Sequence, residues 1–309
     1  MTATSDTAPL ADRRMLLVHA HPDDESIATG ITMAKYVAEG AHVTLITCNL
    51  GEEGEVLVDD LAHVASHRED RLAEYRIREL DDAMAHLGVT DYRRLGGDGK
   101  YRDTGMSWGE DGLAQLPENL HGNAFWYADL LEAASELVAV IREIKPHVVI
   151  CDDQSGSYGH PDHIQAHRVT HYAVSLAGAE SFRRDLGEAW DVPKLYWRAE
   201  SASRLRAGME MAPEGDKFLE GFDPNNMPPM FAEDDDIAAQ ITGTPEQVQA
   251  KLAAMKSHVT QIQPDGAFFA MGMDLAALAW GVEAFRLVKG VKGPLTESGF
   301  EDDLFAGIA

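Results

Sequence analysis

The run Met15-Leu16-Leu17-Val18-His19-Ala20, continued by His21-Pro22-Asp23-Asp24-Glu25, decides how the chain reads. An apolar, strand-like stretch ends where a proline forces extended geometry on the residue before it, so His21 projects as the backbone leaves the strand. The same tripeptide returns at 160–162, where His147-Val148-Val149-Ile150-Cys151 is followed by Tyr158-Gly159-His160-Pro161-Asp162-His163. Imidazoles and carboxylates bind divalent transition metals and also transfer protons. Two such clusters at strand ends can meet in one crevice.

Outward from these corners, strand-like runs at 15–20, 42–48, 92–95 and 147–151 alternate with helix-like stretches at 29–39, 66–87 and 125–144. Gly40, Gly88 and Pro146 mark the turns before the later strands. This order predicts an α/β fold, a Rossmann-like, mostly parallel sheet with helices on both faces. Ligands in such sheets bind beyond the carboxyl ends of the strands, where both His-Pro-Asp corners fall. No G-x-G-x-x-G follows the first strand, which removes the dinucleotide-binding reading. Long loops at 49–60 and 96–123 leave the same edge, a length that favours a functional role.

Beyond Ala177 the pattern weakens. Residues 195–198 suggest one more strand, and 208–236 is a Pro-, Met- and acid-rich stretch whose closing run, Glu233 to Asp236, is expected to be solvated loop. Thr244-Pro245-Glu246-Gln247 combines an N-cap, a proline at the first helical position and a capping-box glutamine, so a helix should run to about His258. Residues 277–288 form a helix or a strand. The expected organisation is a catalytic core over 1–180 and a smaller C-terminal α+β lobe over 181–309 that completes the substrate pocket, the two being compatible with one integrated domain.

The chain has 309 residues and a net charge of -26, from 52 acidic against 26 basic residues. Such a surface repels nucleic acid and anionic membranes, so neither is an expected partner. Cys48 and Cys151 are the two cysteines, with no C-x-x-C, which excludes a disulfide framework and suits buried thiols in a reducing compartment. Residues 1–14 lack the apolar core of a signal peptide, and no apolar run approaches roughly 18 residues. A cytoplasmic protein is expected.

The corners define a specific chemistry. His21 and Asp24 are three apart and can face one side, while His163 occupies in the second corner the position of Asp24 in the first. Together they supply three protein ligands and leave a fourth position open, the pattern of a catalytic rather than a structural zinc. Asp23, beside the ligands, is the natural general base for a metal-activated water. His160 suits the acid that protonates a departing amine, Asp162 could orient it or raise its pKa, and Tyr158 could donate to an oxyanion. His167 and His171 continue from His163 at helical spacing but are not expected as ligands, and His19 is read as an inward-facing strand residue or a partner behind the ligands.

These corners resemble those of the zinc-dependent N-acetylglucosaminyl-phosphatidylinositol de-N-acetylase (LmbE-like) superfamily. Gly51-Glu52-Glu53-Gly54-Glu55-Val56, Tyr75-Arg76-Ile77, and Leu95-Gly96-Gly97 through Arg102-Asp103 and Gly105-Met106 narrow the likeness to its mycothiol-biosynthesis branch. The likeness covers about the first 175 residues closely. It implies a metal-dependent deacetylase that hydrolyses the acetamide of N-acetylglucosaminyl-inositol to glucosaminyl-inositol and acetate, a small-molecule sugar-inositol substrate. It implies one Zn2+ per chain, with Fe2+ an alternative, on His21, Asp24 and His163, with Asp23 as base, His160 as acid tuned by Asp162, and Tyr158 at the intermediate. It further implies that Arg76 and Asp103 hold sugar or inositol hydroxyls, that Met106 packs on the substrate, and that Glu55 rides a loop at the mouth. From the residues alone, Arg76 reads first as a helix-surface cation paired with Glu79 or Glu74, and Asp103 as part of a loop turn. The competing readings are a mycothiol S-conjugate amidase and, from another class, a non-catalytic metal- or sugar-binding module.

Overall fold

The computed structural model describes residues 12–211, 227–263, 266, 268–269 and 280–308. β1 (Arg14–His19) leads to α1 (Asp24–Ala38), and β2 (His42–Thr47) to α2 (Leu72–Leu87). β3 (Asp91–Arg94) passes through a small hairpin of β4 (Ser107–Trp108) and β5 (Ala114–Gln115) to α3 (Leu130–Ile144). β6 (Val148–Cys151) feeds α4 (Pro161–Ala177), followed by β7 (Lys194–Ser201) and α5 (Ala202–Met211). Further on come β8 (Phe231–Ala232), β9 (Ala239–Thr242), α6 (Pro245–Ser257) and β10 (Val282–Lys289).

The expected α/β sheet is present. Its order is β3-β2-β1-β6-β7-β10-β9, with β8 pairing β7 off this path. The first five strands run parallel, and β10 then pairs antiparallel with both β7 and β9. Alternate side chains of β1 serve opposite faces, as a strand's period of two requires. Met15 and Leu17 join the core with Ile31, Tyr36 and Leu80 of α1 and α2 and Ala254 of α6. Leu16 and Val18 join the other with Leu137 and Ile141 of α3 and Val169 of α4. Each face is therefore capped by helices, and the central strands are fully buried.

The chain winds from β1 outward to β3, then crosses back to lay β6 against the other side of β1. That reversal opens a crevice at the carboxyl ends of β1 and β6, where ligands bind in open α/β sheets. Each His-Pro-Asp corner leaves one of these two neighbouring strands. Strands from beyond residue 180 continue the same sheet, through β7, β10 and β9.

Several boundaries differ from the sequence expectation, each for a local reason. α1 starts at Asp24 and not at 29, because the carbonyl of Asp23 accepts the amides of Ser26 and Ile27 at 3.0 Å and acidic Asp24 and Glu25 suit the first turn. α2 starts at Leu72 and not at 66, since Asp70 at φ 53 breaks helical continuity. α3 starts at Leu130, capped by Asp129, and 125–127 is a separate turn. The run 277–288 resolves as strand β10 over its described part, residues 277–279 lying outside the described residues. So do 1–11, in the segment judged for a signal peptide, and 212–226 of the acid-rich stretch. The acid run at 233–236 is exposed, as expected, though 234–236 forms a helical turn, with Glu233 pairing with Arg206 at 2.6 Å and Asp234 accepting the Ser203 hydroxyl at 2.7 Å. The capping box at Thr244 and Gln247 forms as expected.

β10 is pinned to the helical layer by Glu283. Its carboxylate accepts the amides of Ile31 and Thr32 at 2.9 and 2.8 Å and the Thr32 hydroxyl at 2.7 Å, and pairs with Lys251 of α6 at 2.8 Å. Gly30 makes the approach possible, since a Cβ there would lie 3.0 Å from Lys251 Cγ. Removing one partner of a buried pair strands the other charge. Glu283→Ala should therefore lower the unfolding free energy by about 3–5 kcal/mol in urea titrations, and a loss under about 1 kcal/mol would contradict this assignment.

Candidate metal centre and active site

The two corners meet. Asp24, in the first turn of α1, spans the imidazoles: its Oδ2 lies 3.4 Å from His21 Nδ1 and its Oδ1 3.3 Å from His163 Nε2. The two rings stand 5.2 Å apart between centroids. His160 joins them, so that donor atoms of His21, His160 and His163 lie within 4.8 Å of one another, as do those of His21, Asp103 and Asp162. His21 is common to both of these sets.

This cluster is built for positive charge. Four carboxylates, Asp24, Asp103, Asp152 and Asp162, are buried or nearly so around two imidazoles. Burial alone would push Asp24 up, yet His163 and His21 outweigh it and hold its carboxyl well below the usual range. Burial opposes a charge on His21, but Asp103, Asp162 and Asp24 drive its pKa well above the ordinary value. Both ring nitrogens of His163 are buried without a hydrogen-bond partner. A buried imidazole with unspent nitrogens amid carboxylates fits a divalent cation, which offers the lone pairs a ligand and the acids a counter-charge. Asp152 Oδ2 stands 3.3 Å from His163 Nδ1, placed to fix that ring's orientation, and Arg198 holds Asp152 from behind at 2.6 Å.

Asp23 lies beside the cluster in an unusual backbone state, φ 125 and ψ -34. Such conformations cost a non-glycine residue about 1–3 kcal/mol and collect at functional sites. Burial raises its carboxyl to about 6, against the pull of Arg76. Arg76, expected to meet sugar hydroxyls, directs its Nη groups to protein: 2.9 Å to Asp23 Oδ2, 3.0 Å to the Gly51 carbonyl, and a short bond to the Pro22 carbonyl. Nor does it pair with Glu79, which accepts from Thr260.

His160 is the N-cap of α4, its Nδ1 accepting the Asp162 amide at 3.1 Å. A neutral ring therefore carries its proton on Nε2. Burial, then the neighbouring His21 and His163, hold its pKa well below the usual value. The Asp162 carboxylate does not reach His160 as expected. It turns to His21 at 3.3 Å and is held by Asn49 Nδ2 at 2.8 Å and the Thr104 amide at 2.9 Å, so it touches His160 only through its own backbone. Tyr158 packs edge-on against His160 and His163. The β4–β5 hairpin is bonded onto this loop, Ala114 N to Tyr158 O at 2.9 Å, at a point where Gly159 (φ 98) leaves no room for a Cβ.

The crevice opens into a cavity of about 850 Å3 lined by His21, Asp23, Asp24, Arg76, Asp103, Met106, Glu55, Tyr158 and His160, and by Arg198, Glu200, Leu205 and Trp280 from later in the chain. Every expected site residue but Asp162 and His163, which sit behind, lines it. Trp108, Asp152, Arg198, Glu25 and His258 were missed. Asp152 alone carried a sequence signal, standing directly after the β6 run. His167, His171 and Cys151 also gather. There, however, His171 Nε2 accepts the Trp197 indole N–H at 2.7 Å, and His167 Nδ1 lies 3.1 Å from the Asp152 carbonyl, so both rings are engaged by protein. His19 is buried against Thr29 Oγ1 at 2.9 Å.

Residues 16–174 match the family described as PIG-L, GlcNAc-PI de-N-acetylase. The chain is 57% identical over 300 residues to a 1D-myo-inositol 2-acetamido-2-deoxy-alpha-D-glucopyranoside deacetylase of Nocardioides sp., covering 96% of this chain and 99% of that one. A protein of the same name from Streptomyces avermitilis is 48% identical, with 97% and 99% covered. Among solved structures, the N,N'-diacetylchitobiose deacetylase of Pyrococcus horikoshii superposes with a TM-score of 0.59 at 18% identity, over 91% of this chain and 86% of that one. A 4-carboxy-2-hydroxymuconate hydratase from Pseudomonas putida reaches the same TM-score at 16% identity, over 92% and 100%, so the fold by itself does not select a reaction.

Replacing His163 with alanine should leave the purified protein without bound metal by elemental analysis, and full occupancy would contradict the ligand assignment. Asp152→Asn, which keeps shape but not charge, should weaken metal affinity about 10–100-fold in chelator competition.

Proposed function

The chain belongs to the GlcNAc-PI de-N-acetylase family, and from that premise we infer that it is a hydrolase acting on the acetamide of 1D-myo-inositol 2-acetamido-2-deoxy-alpha-D-glucopyranoside. The products are acetate and glucosaminyl-inositol, and the step belongs to mycothiol biosynthesis. The observation that carries the mechanism is the Asp24 carboxylate straddling His21 and His163 with Asp23 alongside. Two imidazoles and one carboxylate with room for a further ligand suit one zinc ion per chain, and ferrous iron accepts the same donors. Such an ion, when bound, polarises the acetamide carbonyl and acidifies the attacking water.

The chain's own groups then act in order. Asp23, held by Arg76, takes a proton from the water as its oxygen bonds the acetamide carbon. The Tyr158 hydroxyl donates to the oxyanion that forms. Burial and neighbouring Asp24 push that phenol's pKa up, so it stays protonated as the donor role requires. His160 delivers a proton to the departing nitrogen as the carbon–nitrogen bond breaks, and the proton gained by Asp23 restores the balance. The low pKa of His160 leaves the ring neutral at rest, so the proton it delivers is the one that Asp23 takes from the water. Asp103, already accepting the Gly105 and Glu53 amides, faces the cavity as an acceptor for sugar or inositol hydroxyls, with Met106 and Glu55 near the mouth. Residues after 180 complete the pocket, a reading supported by Arg198, Glu200 and Leu205 in its wall.

A second reading, amidase action on mycothiol S-conjugates, draws on the apolar side of the cavity, where Ile27, Leu57, Leu205 and Phe231 offer room for a thioether. Two buried free thiols, Cys48 and Cys151, support a reducing, cytoplasmic setting. No helix among the described residues is long and apolar enough to cross a membrane.

Acetate release from N-acetylglucosaminyl-inositol should be abolished by a chelator and restored by zinc, whereas turnover of S-conjugates alone would favour the amidase. The base works as a carboxylate, so kcat/KM should rise with pH through an acid limb and level off above it. Burial sets that limb at about 6 or lower, because a neighbouring cation favours the ionised form. Asp23→Ala should retain metal yet lose turnover by about 100-fold or more. A near-normal rate in that variant would overturn the mechanism.

A further inference from the structure

Asp23 does not hold its strained backbone unaided. Its amide donates to Glu25 Oε2 at 2.8 Å, which ties the residue to a side chain two positions on. Glu25 is fully buried, and its other oxygen, Oε1, receives the Ser26 hydroxyl at 2.6 Å and stands 2.9 Å from His258 Nε2. His258 is also fully buried and closes α6. Its carbonyl accepts the amides of Gln261 and Ile262 at 2.9 and 2.7 Å, so the ring is set by a rigid turn. It lies beyond residues 16–174, the part matched to the family.

A carboxylate buried next to other carboxylates needs a fixed counter-charge to stay in place. Asp23 cannot supply it, and Arg76 binds Asp23 itself. His258, its Nε2 2.9 Å from Glu25 Oε1, is the basic group placed to do so. Two other buried pairs, Lys251 with Glu283 described above and Lys194 with Glu301 at 3.1 Å, bond no backbone atom of Asp23.

We propose that Glu25 and His258 form a positioning pair that holds the general base: His258 anchors Glu25, and Glu25 fixes the Asp23 amide so that its carboxylate faces the attacking water. This rests on Asp23 being the base, as argued above. Neither residue lines the cavity. The pair links the turn after α6 to the chemistry, and its loss should reduce turnover without weakening substrate binding or metal retention. A misplacement on the order of 1 Å costs about 100-fold in rate.

The test uses the full chain loaded with one equivalent of zinc, with steady-state kinetics on N-acetylglucosaminyl-inositol and metal content measured for each variant. His258→Ala should lower kcat about 10- to 100-fold, with KM within about twofold and zinc still stoichiometric. Glu25→Gln, which keeps an acceptor oxygen for the Asp23 amide, should lose less than Glu25→Ala. The deciding comparison is made in an Asp23→Asn background, where adding His258→Ala should change the residual rate by less than about twofold, because coupled residues are non-additive. An equal loss in both backgrounds, or loss of zinc together with a raised KM, would overturn the proposal. If His258→Ala does not fold, His258→Gln enters the same cycle with the same criteria. A near-normal rate for Asp23→Asn alone would remove the base assignment, a separate failure from that of the pair.

Discussion

Everything in the crevice follows from crowding carboxylates around two imidazoles where water is scarce. Asp24, Asp103, Asp152 and Asp162 converge on His21 and His163, and like charges so close are tolerable only with positive charge between them. The fold meets that need on two levels. Protein cations stand behind the acids, Arg198 on Asp152 and Arg76 on Asp23, while the centre between the rings is a candidate site for a metal. The reversal of strand order between β1 and β6 is what lets the two corners face each other, since neighbouring parallel strands end at the same edge.

The fold was largely legible because strand and turn chemistry repeat: four apolar runs, each closed by Gly, Pro or a polar corner, define parallel units. What escaped were starts of helices. Asp23, Asp24 and Glu25 read as a loop continuing the corner, yet their charges lie at a helix N-terminus, where a dipole rewards them. The type of the run at 282–289 was undecidable from periodicity, because burial there does not alternate: Glu283, Ala284 and Phe285 are buried in succession and Arg286 to Lys289 are not.

The candidate ligand residues stood out for a different reason: metal chemistry demands particular side chains, and the two corners carry them at corresponding positions. Their supports were not. Arg198, Glu25 and His258 acquire meaning only through contacts that join distant parts of the chain, as Glu25 does with a histidine near the end of α6. Asp162 illustrates the same limit at short range. Its place beside His160 suggested a partnership, but entry into α4 turns its carboxylate across the crevice to Asn49 and Thr104.

The hairpin seated on Gly159 ties the doorway to the machinery. Ala114 bonds the Tyr158 carbonyl at a point with no room for a side chain, so the hairpin at the cavity wall and the Tyr158 loop are directly joined. Trp108, on that same hairpin, stacks over the Tyr158 ring with centroids 6.0 Å apart. A change at the rim is thus not confined to the choice of what enters: one that shifts the hairpin bears on the placing of the phenol as well.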